Sequence, residues 1–430
     1  MTLEELIISH SEDDTSRLIL GRDKWPDVDV SLAVNIIECR RKIRQKLPEW
    51  YAVPGLIYPD RICAEQSSSS FTANYKASVA ERILSSAAAD GRRIADLTGG
   101  LGVDSLAFSS VADKVLYNEM EPSRASAARH NFPLLGAQDI VVTSHCVSAE
   151  NDAVWAELKS FGPSLIYMDP ARRSSSGSKV FLLEDCSPDV LTLTRRLFDI
   201  APNLLVKLSP MADISMLVNR LRSSGAFTKE VHVVAHAGEC KELLLWLVPD
   251  TREEGLSTRL IVNENGSLIE PSGQASIPLF LENEEHLSRM KYIFEPGKAL
   301  IKAGIFNEIG SLLSSSGQAS MLKAGKSTHL YLYGEEMSFD IDPKNFGKVY
   351  EIIGWEHLDK RAIKAFSARY PSAEVTARNI PMTSDELRRK LKCQSGGDVH
   401  IFGLRLDFTA AVTSSYLFAA RRVSALELNR

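Results

Sequence analysis

Between Arg92 and about Pro249, short apolar runs alternate with segments of helical period. The runs RRIADL, KVLYNE, IVVTS, SLIYMD, NLLVKLS, EVHVVAH and KELLLWLV read as seven strands. Helix-period segments between successive strands predict βαβ units and a parallel sheet. Only AGEC separates the last two runs, which predicts an antiparallel pair at the end of the sheet. Among the intervening helices, one is expected to start with Ser187 as N-cap and Pro188 at the first helical position. Another, DISMLVNRLRSSG, is expected to be capped by Asp213 and to stop near Gly225.

The flanks have a different texture. Residues 1–60 predict a helical region, clearest in VSLAVNIIECRRKIRQKL, where Leu32, Ile36, Ile37, Cys39 and Ile43 share a face and Pro48 ends the segment. The polar stretch EQSSSSFTANYKASVAERIL follows, helical from Ala73 onward and leading into the first strand. Beyond residue 250, TRLIVNENGSLIE predicts a hairpin turning on Asn-Gly. FEPGKALIKAGIFNEIGSLL predicts a helix, THLYLYG a strand, and WEHLDKRAIKAFSARYP a helix. SDELRRKLKCQSGGDVHIFGLRLDF predicts a basic helix joined to a strand through Gly396 and Gly397. The expected division is therefore residues 1–60, 61–250, 251–345 and 346–430.

Composition narrows the class. A chain of 430 residues with 44% hydrophobic and 24% charged residues and a formal net charge of −5 is globular and too long for one ordinary core. The balance excludes a histone-like polycation and leaves room for local basic patches. The acidic start MTLEELIISHSEDD is unlike a signal peptide, and no apolar run reaches the ~18 residues that suggest a membrane span. A cytoplasmic location without membrane attachment is the expectation. The six cysteines show no CxxC spacing, so neither a disulfide framework nor a metal site is expected.

Candidate chemistry starts at ADLTGGLGVD. Asp96 ends the first strand, and Gly99, Gly100 and Gly102 form the turn into the next helix, where backbone N–H groups can approach a ligand. About 20 residues on, the second strand ends at Glu119, placed to accept both hydroxyls of a ribose. Acid, glycine turn and second acid together imply a nucleoside-containing cofactor. Ser105 stands where a dinucleotide fingerprint has its third glycine, and an acid ahead of the glycines suits an ammonium better than a pyrophosphate. That combination points to S-adenosylmethionine, with Asp104 and Met120 completing the expected set. This stretch resembles the first motif of class I methyltransferases, and YNEMEP resembles their second. Such enzymes usually carry an acid after the third strand for the adenine amino group. Here Cys146 stands at that place, leaving backbone groups around Cys146 and Val147 for the contact.

The fourth strand ends on Asp169, in MDPARR, where a class I sheet presents the acceptor. Arg172 replaces the aromatic residue that stacks a base in amino-group methyltransferases. The fifth strand has no cysteine of the kind that uracil C5 methyltransferases use. It has Lys207 instead, whose burial is expected to lower its pKa toward that of a general base. In chain order Lys76, Asp169, Lys207 and Glu242 resemble the tetrad of RNA ribose 2′-O-methyltransferases. That resemblance implies Lys207 as base, Asp169 as its partner, and Lys76 with Glu242 as an orienting pair. Arg172 and Arg173 are candidate phosphate clamps.

Taken together, EQSSSSFTANYKA, DLTGGLGVD, DPARR, EDCSPD, VKLSPMAD and ECKELLL resemble a bacterial family of class I S-adenosylmethionine-dependent methyltransferases. Its members carry a ferredoxin-like segment, similar to EPGKALIKAG, and a C-terminal THUMP-like domain, similar to RNIPMTSDELRRKLKCQSGGDVHIF. The resemblance implies an α/β fold: a seven-stranded Rossmann-like sheet, an N-terminal helical segment and small α+β C-terminal domains. It also implies a methyltransferase acting on tRNA or rRNA, with Arg388, Arg389 and Lys390 as phosphate-binding cations. A small-molecule or protein methyltransferase, and an inactive RNA-binding protein, remain the alternatives.

Overall fold

The computed structural model describes residues 1–85, 91–172, 183–253, 255–272, 277–314, 321–409 and 412–423. The chain forms two compact units, one of Met1–Val231 with Lys241–Thr258, the other of His232–Cys240 with Arg259–Arg430.

Helices of the first unit that matter for the site are α1 (Val30–Ile43) and α2 (Ser70–Leu84). They precede β1 (Arg93–Asp96), α3 (Val103–Phe108), β2 (Lys114–Asn118), α4 (Pro122–Leu134) and β3 (Ile140–Thr143). Then come α5 (Asp152–Phe161), β4 (Leu165–Met168), α6 (Val190–Phe198), β5 (Leu204–Leu208), α7 (Ile214–Ser223), β6 (Ala226–His236) and β7 (Glu239–Pro249). Their order across the sheet is β3-β2-β1-β4-β5-β7-β6. Strands β1 to β5 pair in parallel and β7 runs antiparallel to β5, while the short AGEC connection joins β7 to its sheet neighbour β6. Because the crossovers place helices on the sheet, the central strands are apolar on both faces: Leu165 to Met168 and Leu204 to Val206 are all fully buried. Ile83, Leu84, Phe108 and Phe132 pack against Ile94, Tyr117, Tyr167 and Leu205.

The chain order reverses between β1 and β4, so their carboxyl ends diverge and open a crevice there, the usual ligand position in such sheets. N-terminal helices close one side of it. Ile36, Cys39 and Ile43 of α1, with Trp50 and Tyr58, share a core with Leu101 and Val103 of the glycine turn. The N-terminal region is thus packed on the first unit. On α1, Leu32 departs from the expected apolar face and is 38% exposed. Pro48 opens the next helix, Pro48–Ala52, at its first turn. Helix α6 starts later than expected, with Asp189 as the cap accepting the Thr192 N–H at 3.1 Å. Asp213 caps α7 as anticipated.

In the second unit, β8 (Arg259–Glu264) and β9 (Ser267–Ile269) form the Asn-Gly hairpin, with Asn265 and Gly266 at φ 54° and 97°. A seven-stranded sheet follows: β10 (Tyr292–Pro296), β11 (Leu322–Lys323), β12 (Tyr331–Tyr333), β13 (Gly347–His357), β14 (Glu374–Arg378), β15 (Val399–Asp407) and β16 (Thr413–Arg422). Its order is β11-β12-β10-β13-β16-β15-β14. Helices α8 (Lys360–Arg369) and α9 (Ser384–Leu391) cover one face, where Phe366, Leu387 and Leu391 meet Ile401, Leu417 and Ala419. Phe402, Leu404, Tyr416 and Phe418 point to the other face, as the two-residue period of a strand dictates. This sheet joins the expected 251–345 and 346–430 segments, since β10 pairs with β13 across that boundary. The expected helix over FEPGKALIKAGIFNEIGSLL is also corrected. It starts as β10, and its helical part is two pieces, Lys298–Ala303 and Ile309–Leu313, parted at Gly304 with φ 73°. Among the described residues, no helix is long and apolar enough to cross a membrane.

Candidate active site

A cleft of about 960 Å³ opens at the carboxyl ends of β1, β2, β4 and β5. Leu97 to Leu101, Glu119 to Glu121, His145 to Val147, Asp169 to Ala171 and Lys207 to Ser209 line it. Ser67, Ser68, Asp104, Arg124 and Lys241 also line it.

The glycine turn has a steric reason. Gly99 packs so closely on Tyr117 that a Cβ there would lie 2.1 Å from the ring, while the Tyr117 hydroxyl donates to the Gly100 carbonyl at 2.6 Å. Gly100 has φ 55°, and a Cβ there would meet only the Thr98 carbonyl oxygen, in ordinary contact at 3.9 Å. Glu119 is fixed from below: Oε2 accepts the Gly100 N–H and Oε1 the Glu121 N–H, both at 2.9 Å. Each carboxylate oxygen keeps acceptor capacity for a further hydrogen bond. A fixed acceptor carboxylate beside a glycine turn on the cleft wall fits the ribose of S-adenosylmethionine. Met120, 63% exposed, and the segment His145–Cys146–Val147 extend the wall beyond it. No side-chain acid lies at Cys146; its carbonyl accepts Asn151 Nδ2 at 2.8 Å.

Asp96 sits beneath this turn and is only 1% exposed. Its oxygens accept the Thr98 N–H at 3.0 Å and the Ser105 hydroxyl at 2.6 Å. Burial outweighs those two bonds and pushes the carboxyl up to about 7. The sign follows from the raised value: stabilisation is full below the unfolded value near 3.8 and is lost as pH rises through about 7. Between pH 5 and 8 the ligand-free protein should therefore lose on the order of 3 kcal/mol of this contribution, nearly all of it below pH 7. Asp96→Asn should flatten that part of the melting-temperature profile, measured by calorimetry without ligand.

Two ion pairs stand at the ends of β4 and β5. Lys207 Nζ lies 2.5 Å from Asp169 Oδ2, and the Asp169 N–H is held at 2.6 Å by Thr98 Oγ1. Behind them Lys76, with no exposed side-chain surface, contacts Asp104 Oδ1 at 3.0 Å and Glu242 Oε2 at 3.2 Å. Helix α2 carries Lys76 inward because Ser69 caps it through the Thr72 N–H, so the helix begins at Ser70 and not at Ala73. All four tetrad residues thus stand as two pairs, Lys207 with Asp169 and Lys76 with Glu242.

The expected lowering of the Lys207 pKa is reversed. Burial does oppose its charge, but the Asp169, Glu242 and Asp104 carboxylates outweigh it and hold the ammonium above the ordinary lysine range. Glu242 moves up through burial, against the pull of Lys76 and Lys207. Ser68 and Tyr167, which sequence reasoning missed, also enter the site. Ser68 accepts from Lys76 at 2.7 Å and donates to Asp104 Oδ2 at 2.9 Å, and Tyr167 donates to the same oxygen at 2.8 Å. A serine run reads as a loop, so nothing local marked Ser68. Arg173 lies outside the described residues, as does the side chain of Arg172. In the second unit, Arg388 is 3.4 Å from Asp385, while Arg389 and Lys390 are exposed on α9. Among the described residues, no group of three or more His, Cys, Asp or Glu side chains could hold a metal ion.

This geometry agrees with what the chain is similar to. An uncharacterized S-adenosylmethionine-dependent methyltransferase of Mycobacterium tuberculosis, found in strains CDC 1551 and H37Rv, is 25% identical over 308 residues, covering 70% of this chain and 74% of the relative. A crystal structure of a candidate methyltransferase from Porphyromonas gingivalis W83 superposes with a TM-score of 0.77 at 28% identity, covering 98% of both chains. The chain is a homologue of S-adenosylmethionine-dependent methyltransferases. Residues 347–421 match the family model described as THUMP domain-like. They run from β13 to β16 and include α9 with its cations, so the methyltransferase carries this domain in its second unit.

Proposed function

We propose that this S-adenosylmethionine-dependent methyltransferase acts on RNA, tRNA or rRNA, at a ribose 2′-hydroxyl. The observation that carries the reading is the Lys207–Asp169 pair, 2.5 Å apart on the cleft wall, with the Lys76–Glu242 pair directly behind it. When bound, S-adenosylmethionine supplies an electrophilic methyl group on a sulfonium. In this reading Glu119 takes the ribose hydroxyls, the turn from Thr98 to Leu101 holds the amino-acid end above Asp96, and Met120 and Val147 flank the base.

A sugar hydroxyl is a weak nucleophile near neutral pH, so its oxygen gains from a nearby positive charge and a proton acceptor. Lys207, kept charged by three carboxylates, supplies the charge. Asp169 is the acceptor for the hydroxyl proton and also anchors Lys207. The absence of a stacking aromatic after Asp169 disfavours a base as target. Matching of residues 347–421 to a THUMP domain-like model, together with the exposed Arg389 and Lys390, supports RNA as the acceptor class.

Transfer of radiolabelled methyl from S-adenosylmethionine to total RNA tests this. Label should enter material released by ribonuclease and untouched by protease; label confined to protein or small molecules would overturn the RNA assignment.

A further inference from the structure

The two pairs of the tetrad are not equivalent. Lys207 and Asp169 keep 17% and 34% of their side-chain surface exposed, whereas Lys76 and Glu242 keep 0% and 2%. Lys76 has three N–H donors, and its ammonium already has three oxygen neighbours: Ser68 Oγ at 2.7 Å, Asp104 Oδ1 at 3.0 Å and Glu242 Oε2 at 3.2 Å. It has no donor left for a substrate. What the buried pair shows to the cleft is carried by Ser68 and Asp104, both of which line it.

Asp104 differs from a cofactor ligand in how its oxygens are used. Oδ2 receives the hydroxyls of Ser68 and Tyr167, and Oδ1 faces Lys76. Lys76 and Lys207 draw its carboxyl down against the effect of burial. Ser68 comes from outside the sheet. Its segment is anchored by Lys46, whose Nζ donates to the carbonyls of Glu65 at 2.8 Å and Ser67 at 3.0 Å. The N-terminal helical layer therefore reaches the reaction centre through this serine.

With Asp104 included, the centre joins two lysines to three carboxylates. We propose that Ser68 and Asp104 are positioning residues for methyl transfer, fixing the Lys76 ammonium behind the Lys207–Asp169 pair. The inference rests on the functional reading above, extending it from four groups to six.

Three measurements on the full chain test it: calorimetric affinity for S-adenosylmethionine, methyl transfer to RNA from a strain lacking the gene, and acetylation of Lys207 by acetic anhydride across pH, read by mass spectrometry. Ser68→Ala and Asp104→Asn should leave donor affinity within about threefold and lower kcat by roughly 10- to 100-fold. Ser68→Thr should restore most of the loss. Removing the Asp104 charge should make Lys207 reactive at lower pH than in the wild type, read on variant protein whose melting temperature shows it folded, because unfolding would also release the lysine. A tenfold or greater loss of donor affinity would overturn the inference by making Asp104 or Ser68 a cofactor ligand. Unchanged transfer and unchanged Lys207 reactivity would overturn it as well. If wild-type protein methylates no RNA, the functional reading fails, and the Lys207 reactivity profile still decides whether Asp104 sets that lysine's charge.

Discussion

Lys207→Met is expected to reduce methyl transfer by about 10³-fold while leaving the affinity for S-adenosylmethionine within about threefold. Methionine keeps the length and apolar stem that β5 packs at this position and removes only the ammonium. Asp169, left unpaired, is 34% exposed and can be hydrated, so the fold should survive. The loss falls on kcat because the ammonium acts on charge that develops in the transition state.

The pH profile adds a separate sign. An amine acting as base with a lowered pKa would give a rate that climbs steadily toward that pKa. Lys207 is held above the ordinary lysine range by Asp169, Glu242 and Asp104 against the effect of burial, so its charge persists through the working range. The wild-type kcat should therefore show no limb between pH 7 and 9 that Lys207→Met removes. Single-turnover kinetics across that range checks both points, and a variant within tenfold of wild type would count against the assignment.

Glu119→Gln is the second large effect, and it falls on binding. The carboxylate is locked by the N–H groups of Gly100 and Glu121, each at 2.9 Å. An amide in its place turns an NH₂ toward one of these donors and loses the charge that strengthens hydrogen bonds to ribose hydroxyls. Charge-assisted bonds contribute about 1.5–3 kcal/mol each, so two weakened bonds amount to a loss of roughly 100-fold in S-adenosylmethionine affinity. Calorimetry on the folded variant gives the number directly; an unchanged Kd would remove Glu119 from the cofactor site.

The legible parts of the chain were those where one physical constraint acts locally. The central runs of the β1–β7 sheet lie in strands because their burial is nearly continuous, β3 with its exposed Val141 being less so, and Asn265–Gly266 turns as its dipeptide chemistry requires. Strand β13 was missed because most of its residues are only half buried, which leaves no clear alternation in GKVYEIIGWEH. The FEPGKALIKAG segment misled for a related reason: its apolar residues suit a helix, while strand pairing with β12 and β13 claims its first residues.

At the site, residue types and chain order pointed to Lys76, Asp169, Lys207 and Glu242, which the fold brings together as two ion pairs. Their ionisation was not legible in this way. The Lys207 charge depends on carboxylates from three other places in the chain, and burial reasoning applied to β5 alone gives the wrong sign. Ser68 lay hidden for the same reason, since its importance comes from Asp104, 36 residues away.

The most direct test of the account is mass spectrometry of nucleosides from the RNA of a strain lacking this gene. One 2′-O-methylated nucleoside should vanish, return with the wild-type gene and stay absent with Lys207→Met. Loss of a base-methylated nucleoside, or a profile unchanged by the deletion, would contradict it.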